Sequence, residues 1–215
     1  MLPGMLVTIP RVYPITDTAI SGLSHAEQVE RLVEGGATLV QLREKNLPAR
    51  AFYYDALKAL EIARSHGVKV IINDRVDVAL ALDADGVHLG QADMPVEAAR
   101  RLAGAKVVIG YSTHNVEQVQ AALHLPIDYL AFGPIYATSS KENPDPVAGL
   151  KDLPMVRSLA GRLPLVVIGG INCTNLRDVL DAGADSAAII SAIVGNPQTI
   201  NEKLRDFMAL AEMAT

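Results

Sequence analysis

Gln41, Arg43 and Lys45 alternate along the run QLREK. In an extended chain an amide and two cations therefore point one way while Leu42 points the other. That set suits a polyphosphate, which arginine grips bidentately. The plainer alternative is a solvated strand end with an Arg43–Glu44 ion pair. Asn73-Asp74 closes a β-branched run, and Asp93 lies three residues past Gly90 in HLGQAD. Two carboxylates on neighbouring loops can share one hard cation, and Mg²⁺ is typically held by one or two carboxylates plus substrate phosphates. Each aspartate also stands where it could cap a helix, Asp74 ahead of Val76 and Asp93 ahead of the segment after Pro95.

Further polar groups follow other β-branched runs. Gly110-Tyr111-Ser112-Thr113-His114 offers either hydrogen-bonding groups or an N-cap. His114 has no visible partner carboxylate, which argues against a general base, and His88 reads as a packed strand-end histidine. The seventeen residues from Gly133 to Gly149 lack apolar periodicity, and Thr138, Ser139 and Ser140 precede Lys141 there. A loop of that length and polarity is expected to be an anion-binding lid, with a plain flexible connector as the alternative. Gly169-Gly170 and Ile190-Ser191 suit a phosphate, because glycines allow close backbone approach and helix-start N–H groups favour anions. Glycines kept only for packing are the alternative reading. Cys173 has no flanking cation and is expected to be inert, and nothing matches a zinc pattern. Two anion sites and a metal facing one opening imply an enzyme that joins or splits phosphorylated small molecules.

Those groups need a frame that brings them together. Continuous apolar runs, rather than alternating ones, indicate a parallel sheet buried on both faces. Eight are expected as strands: Val12 to Thr16, Leu39 to Arg43, Val70 to Asn73, Gly86 to Leu89, Val107 to Gly110, Tyr129 to Phe132, Leu165 to Ile168 and Ser186 to Ile190. Helical stretches between them include Ser24 to Glu34, Ala49 to Ser65, Val116 to Leu123 and Thr174 to Ala182. Gly-Ala and Asp-Gly pairs at their ends suit helix C-caps feeding strands. Eight such units in 215 residues predict a small (β/α)₈ TIM barrel in one domain spanning 1–215, with its site at the C-terminal strand ends. A doubly wound open sheet fits less well, since ITDTAI stands where a Gly-x-Gly-x-x-Gly turn would follow the first strand.

Composition narrows the function classes. A 50% apolar share excludes a disordered chain, and no apolar run approaches the length of a membrane span. A net charge of −5 without a basic run argues against nucleic acid as partner. One cysteine and an N-terminus without a basic n-region point to a cytoplasmic protein. Oligomeric state is left open.

Taken in order, ITD (15–17), QLREK, INDRVDVAL, GVHLGQAD, GYSTH, GPIYATSSK, IGGI and IISAI run nearly end to end. In this the sequence resembles the thiamine-phosphate synthase (thiamine-phosphate pyrophosphorylase) family. The resemblance implies a (β/α)₈ barrel that joins 4-amino-2-methyl-5-pyrimidinylmethyl diphosphate to a thiazole phosphate, releasing pyrophosphate. It implies that Gln41, Arg43, Lys45, Asn73, Ser112 and Lys141 hold the pyrimidine diphosphate, with Lys141, Arg43 and Ser112 catalytic. By the same resemblance Asp74 and Asp93 bind Mg²⁺, and Thr138, Ser140, Gly170, Ile190 and Ser191 hold the thiazole phosphate. Two departures stand out: Ser140 replaces a threonine common in the family, and Ala137 replaces a frequent proline. A thiazole tautomerase keeps the barrel but is not expected to need Gln41, Asn73, Asp74 and Asp93, and a non-catalytic ligand-sensing barrel is the other alternative.

Overall fold

The computed structural model describes residues 8–138, 140 and 145–213. The strands are β1 (Val12–Asp17), β2 (Leu39–Arg43), β3 (Lys69–Asn73), β4 (Gly86–Leu89), β5 (Val108–Thr113), β6 (Tyr129–Phe132), β7 (Leu165–Ile168) and β8 (Ser186–Ile189). Each pairs in parallel with its sequence neighbours, and β8 closes onto β1, giving the expected (β/α)₈ barrel. The helices are α1 (Thr18–Ser21), α2 (His25–Glu34), α3 (Ala49–Ser65), α4 (Val76–Ala81), α5 (Val96–Ala103), α6 (Val116–Ala122), α7 (Leu153–Ala160), α8 (Leu176–Asp181), α9 (Ser191–Val194) and α10 (Ile200–Glu212).

Strand boundaries fall close to the sequence expectation, with one informative exception. β5 begins one residue later than expected and runs on to Thr113, because Ser112 and Thr113 stay in register with Ala131 and Phe132 and the Thr113 hydroxyl donates to the Ala131 carbonyl. Ser112 is thus a strand residue. β1 extends to Asp17, which pairs with Arg43 of β2, and β8 stops at Ile189 so that Ile190 precedes α9.

Side-chain alternation sorts the strands into two cores. Tyr13, Ile15, Leu39, Ile71, Val108, Tyr129, Ala131, Val166 and Ala188 fill the barrel interior. Leu42, Phe52, Leu60, Leu89, Phe132, Val167 and Phe207 belong to the larger layer between sheet and helices. The Leu42 expectation therefore holds.

The aspartates ahead of β4, β6 and β8 have a defined job at the N-terminal rim. Asp85, Asp128 and Asp185 immediately precede β4, β6 and β8. Their carboxylates accept the backbone N–H of Val70 (2.9 Å), Ile109 (2.7 Å) and Leu165 (2.7 Å) on the preceding strands. Each also pairs with a cation: Lys69, Arg100 and Arg157 respectively. These clasps hold even strands to odd ones at the end away from the opening.

Candidate active site

At the C-terminal ends of the strands lies a cavity of about 640 Å³. Gln41, Arg43, Lys45, Asn73, Asp74, Asp93, Ser112, Thr138, Ser140, Gly170, Ile190 and Ser191 all line it. The barrel thus brings together residues that lie up to 150 positions apart in the sequence. Ser139 and Lys141 lie outside the described residues, as do 142–144 of the same loop.

The cations do not pair as the plainer reading of QLREK expects. Arg43 binds Asp17 across the β1–β2 ladder, and Lys45 binds Asp74 from the neighbouring loop. Glu44 turns the opposite way, accepting from His25 Nε2 (3.2 Å), Thr18 Oγ1 (2.7 Å) and the backbone N–H of Asn46 and Leu47. Burial disfavours the Glu44 carboxylate, but these donors outweigh it and hold its pKa well below the usual range. The bonds to Asn46 and Leu47 fix the turn that begins at Lys45.

Asp74 and Asp93 do not cap the helices ahead of which they stand. No side chain caps α4 or α5, whose N-terminal flanking residues are Arg75 and Pro95. Asp74 instead adopts a left-handed backbone (φ 61°) and donates its N–H to the His88 carbonyl at 2.8 Å. Aspartate tolerates that region better than most residues. Asp93 accepts the Gly90 N–H at 2.7 Å. The two carboxyls lie within hydrogen-bonding reach of each other. Burial raises the Asp74 pKa, Lys45 opposes that, and the Asp93 charge adds to it. The two aspartates line one wall, and Lys45 pairs with Asp74 there, which leaves a negative balance for a cation. Among the described residues no cluster of three or more potential ligands exists. The donor set therefore fits an ion that takes most of its oxygens from water and a phosphorylated ligand, as Mg²⁺ does.

Across the cavity, loops after β6, β7 and β8 pack tightly. Gly169 and Gly170 have φ of 104° and 64°, and a Cβ on them would lie 2.4 Å from Pro134 and 2.5 Å from the Ala137 carbonyl. Close packing therefore requires glycine at both positions, and it brings the Ala137–Thr138 loop over Gly170. Ser140 Oγ sits 3.5 Å from Ser191 Oγ, so hydroxyls from two loops meet beside the start of α9.

Three features escaped the sequence. His114 has a carboxylate partner after all: its Nε2 lies 3.5 Å from Asp145, and Nδ1 lies 2.6 Å from the Gly133 carbonyl. The ITD motif does not by itself mark Asp17 as the partner of Arg43, though it sits opposite Arg43 in the ladder. Tyr13 and Tyr129 cross the barrel floor beneath the cavity, and His88 stacks on Tyr129 with ring centroids 5.4 Å apart. Alternation from Ala131 and Ile15, which share the interior, was the signal that could have placed both tyrosines there.

A family model described as thiamine monophosphate synthase matches residues 12–193. A thiamine-phosphate synthase of Chloroflexus aurantiacus is 48% identical over 185 residues, covering 86% of this chain and 85% of its own. One from Albidiferax ferrireducens is also 48% identical, over 85% and 84% of the two chains. The solved structure of a Pyrococcus furiosus thiamine phosphate pyrophosphorylase superposes with a TM-score of 0.85 at 35% identity, covering 95% of this chain and 96% of that one.

Proposed function

The chain belongs to the thiamine monophosphate synthase family, and we propose that its cavity joins 4-amino-2-methyl-5-pyrimidinylmethyl diphosphate to a thiazole phosphate, forming thiamine phosphate and pyrophosphate. The observation that carries this reading is the convergence of the strand 2 to 5 polar groups and the loop 6 to 8 groups on one cavity. A tautomerase acting on thiazole phosphate alone would have no use for the first of these sets.

In this reading Gln41 and Asn73 hold the pyrimidine end, while Arg43, Lys45, Ser112 and Lys141 hold the diphosphate. Thr138, Ser140, Gly170, Ile190 and Ser191 hold the thiazole phosphate. Asp74 and Asp93 would hold Mg²⁺, which when bound neutralises charge on a departing diphosphate. The C–O bond to the diphosphate breaks first, its electron pair leaving with the diphosphate. The aminopyrimidine delocalises the positive charge left on its exocyclic carbon. The thiazole nitrogen then donates its lone pair to that carbon, forming the C–N bond, and no proton need move. The chain supplies no nucleophile. Arg43, Lys45 and Lys141 stabilise the charge that grows on the leaving group, and the two anion sites set the distance between reactants. Arg43 and Lys45 reach the diphosphate by loosening their present pairs with Asp17 and Asp74, so loading the cavity redistributes charge among all four.

No helix among the described residues is long and apolar enough to cross a membrane. The test is product formation with both substrates, with and without Mg²⁺. Thiamine phosphate is expected only when all three are present. No product under those conditions would overturn the assignment.

A further inference from the structure

A chain of hydrogen bonds runs beneath the cavity from Gln41 to Ser112. The Gln41 Nε2 bonds Tyr13 Oη at 3.1 Å, and Tyr13 Oη lies 3.4 Å from Tyr129 Oη. Tyr129 Oη lies 2.8 Å from His88 Nδ1, whose Nε2 lies 2.8 Å from Ser112 Oγ. All four residues before Ser112 are buried. Room for the crossing is made by Gly110 of β5, where a Cβ would fall 2.0 Å from the Tyr129 ring.

With a neutral imidazole at His88 such a chain admits two senses, and its ends are tied. In one, Gln41 donates to Tyr13, Tyr13 to Tyr129, Tyr129 to His88 Nδ1, and His88 Nε2–H to Ser112. The cavity then meets the Gln41 carbonyl and the Ser112 proton. In the opposite sense the amide is turned over, every proton reverses, and the cavity meets an amide NH₂ and a serine lone pair. Burial raises the pKa of both phenols, so each keeps the proton the chain requires. In the first sense the Gln41 oxygen takes no bond among the described residues and stays open to the cavity.

We infer that Tyr13, Tyr129 and His88 are positioning residues that lock the first sense, making the site selective for a pyrimidine carrying an amino group. This rests on the substrate reading above. An amino group must donate, and so needs the Gln41 carbonyl; a diphosphate oxygen must accept, and so needs the Ser112 proton. One substrate therefore favours the same sense at both ends. An oxo-pyrimidine with the same diphosphate asks for opposite senses at the two ends, and leaves a buried polar group unpaired. Sites built to bond an N–H reject analogues lacking it by large factors, up to roughly 10⁴-fold or more.

The test uses the monophosphate ester of the aminopyrimidine, a poor leaving group, and its oxo counterpart. Wild type is expected to prefer the amino compound by at least about a hundredfold. Tyr129→Phe, which removes only a hydroxyl, and Tyr13→Phe should each cut that ratio about tenfold or more, leaving thiazole-phosphate affinity unchanged. An unchanged ratio in both variants would overturn the proposal, even if affinity fell for both ligands, since loss of packing would do that equally. Nitrogen NMR of wild type supplies a readout independent of ligand selectivity: His88 should be the Nε2–H tautomer. An Nδ1–H tautomer would overturn the relay. Should wild type bind neither pyrimidine, the substrate reading fails and the relay is decided by the tautomer alone.

Discussion

Asp74 and Asp93 show why residue chemistry has to be read with backbone geometry. Either could have capped a helix, yet Asp74 sits in a left-handed turn and Asp93 closes its own loop, leaving both carboxyls on one cavity wall. Neither side chain caps a helix end, and their meeting on one wall is what the proposed Mg²⁺ site rests on. Asp93→Asn keeps an acceptor for the Gly90 N–H, and Asp74→Asn keeps the turn. Each is expected to leave the fold intact while raising the Mg²⁺ needed for half-maximal turnover by about tenfold or more. Unchanged Mg²⁺ dependence in both would sink the metal assignment. Lys141, outside the described residues, is assigned by resemblance to the departing diphosphate. Lys141→Ala should lower single-turnover synthesis by roughly 10²–10³, the usual loss for one preorganised donor. Thiazole-phosphate affinity should change far less, and an equal turnover rate would remove Lys141 from catalysis.

Elements are held in place by acids that lie outside the cavity lining. Glu44 ties β2 and the turn after it to α1 and α2 through Thr18 and His25. Its folded-state pKa is depressed, so its contribution is fully present above the ordinary carboxylate value of 4.5. That contribution is lost as pH falls below 4.5 toward the folded-state value. Glu44→Gln should therefore lower the Tm at about pH 7, with the difference from wild type shrinking progressively toward about pH 3. A difference independent of pH would show that charge at Glu44 is irrelevant. At the opposite rim, Asp128 accepts from Ile109 N–H and Arg100. Asp128→Ala orphans the Ile109 N–H and removes one of the Arg100 bonds, the others running to the Pro126, Gly104 and Val107 carbonyls, and should cost about 1–3 kcal/mol in denaturant unfolding. Because the clasp is remote from the cavity, kcat and KM of the folded variant should match wild type; a large kinetic change would contradict that separation.

At the scale of the whole molecule, the sequence carries the frame more fully than the wiring inside it. Apolar runs such as Leu165–Ile168 are bounded sharply by turn residues, so β7 was legible to the residue. β5 was cut short because Ser112 and Thr113 are polar, and only pairing with β6 keeps them in the sheet. Spacing placed Gln41, Arg43 and Lys45 on one face, since strand geometry is local. Spacing could not reveal that Arg43 pairs with Asp17 or that His114 meets Asp145, because those contacts depend on how neighbouring strands and loops align, nor that Tyr13 reaches Tyr129, because that contact crosses the closed barrel. Closure also brings the strand 2 to 5 groups and the loop 6 to 8 groups onto one cavity, and the proposed joining reaction rests on that convergence. Its most direct test is a rapid-quench single turnover with enzyme in excess over the pyrimidine diphosphate, saturating thiazole phosphate and Mg²⁺ present. Thiamine phosphate and pyrophosphate should appear in equal amounts, with thiazole phosphate otherwise unaltered. Pyrophosphate released without thiamine phosphate, or thiazole phosphate isomerised without joining, would contradict it.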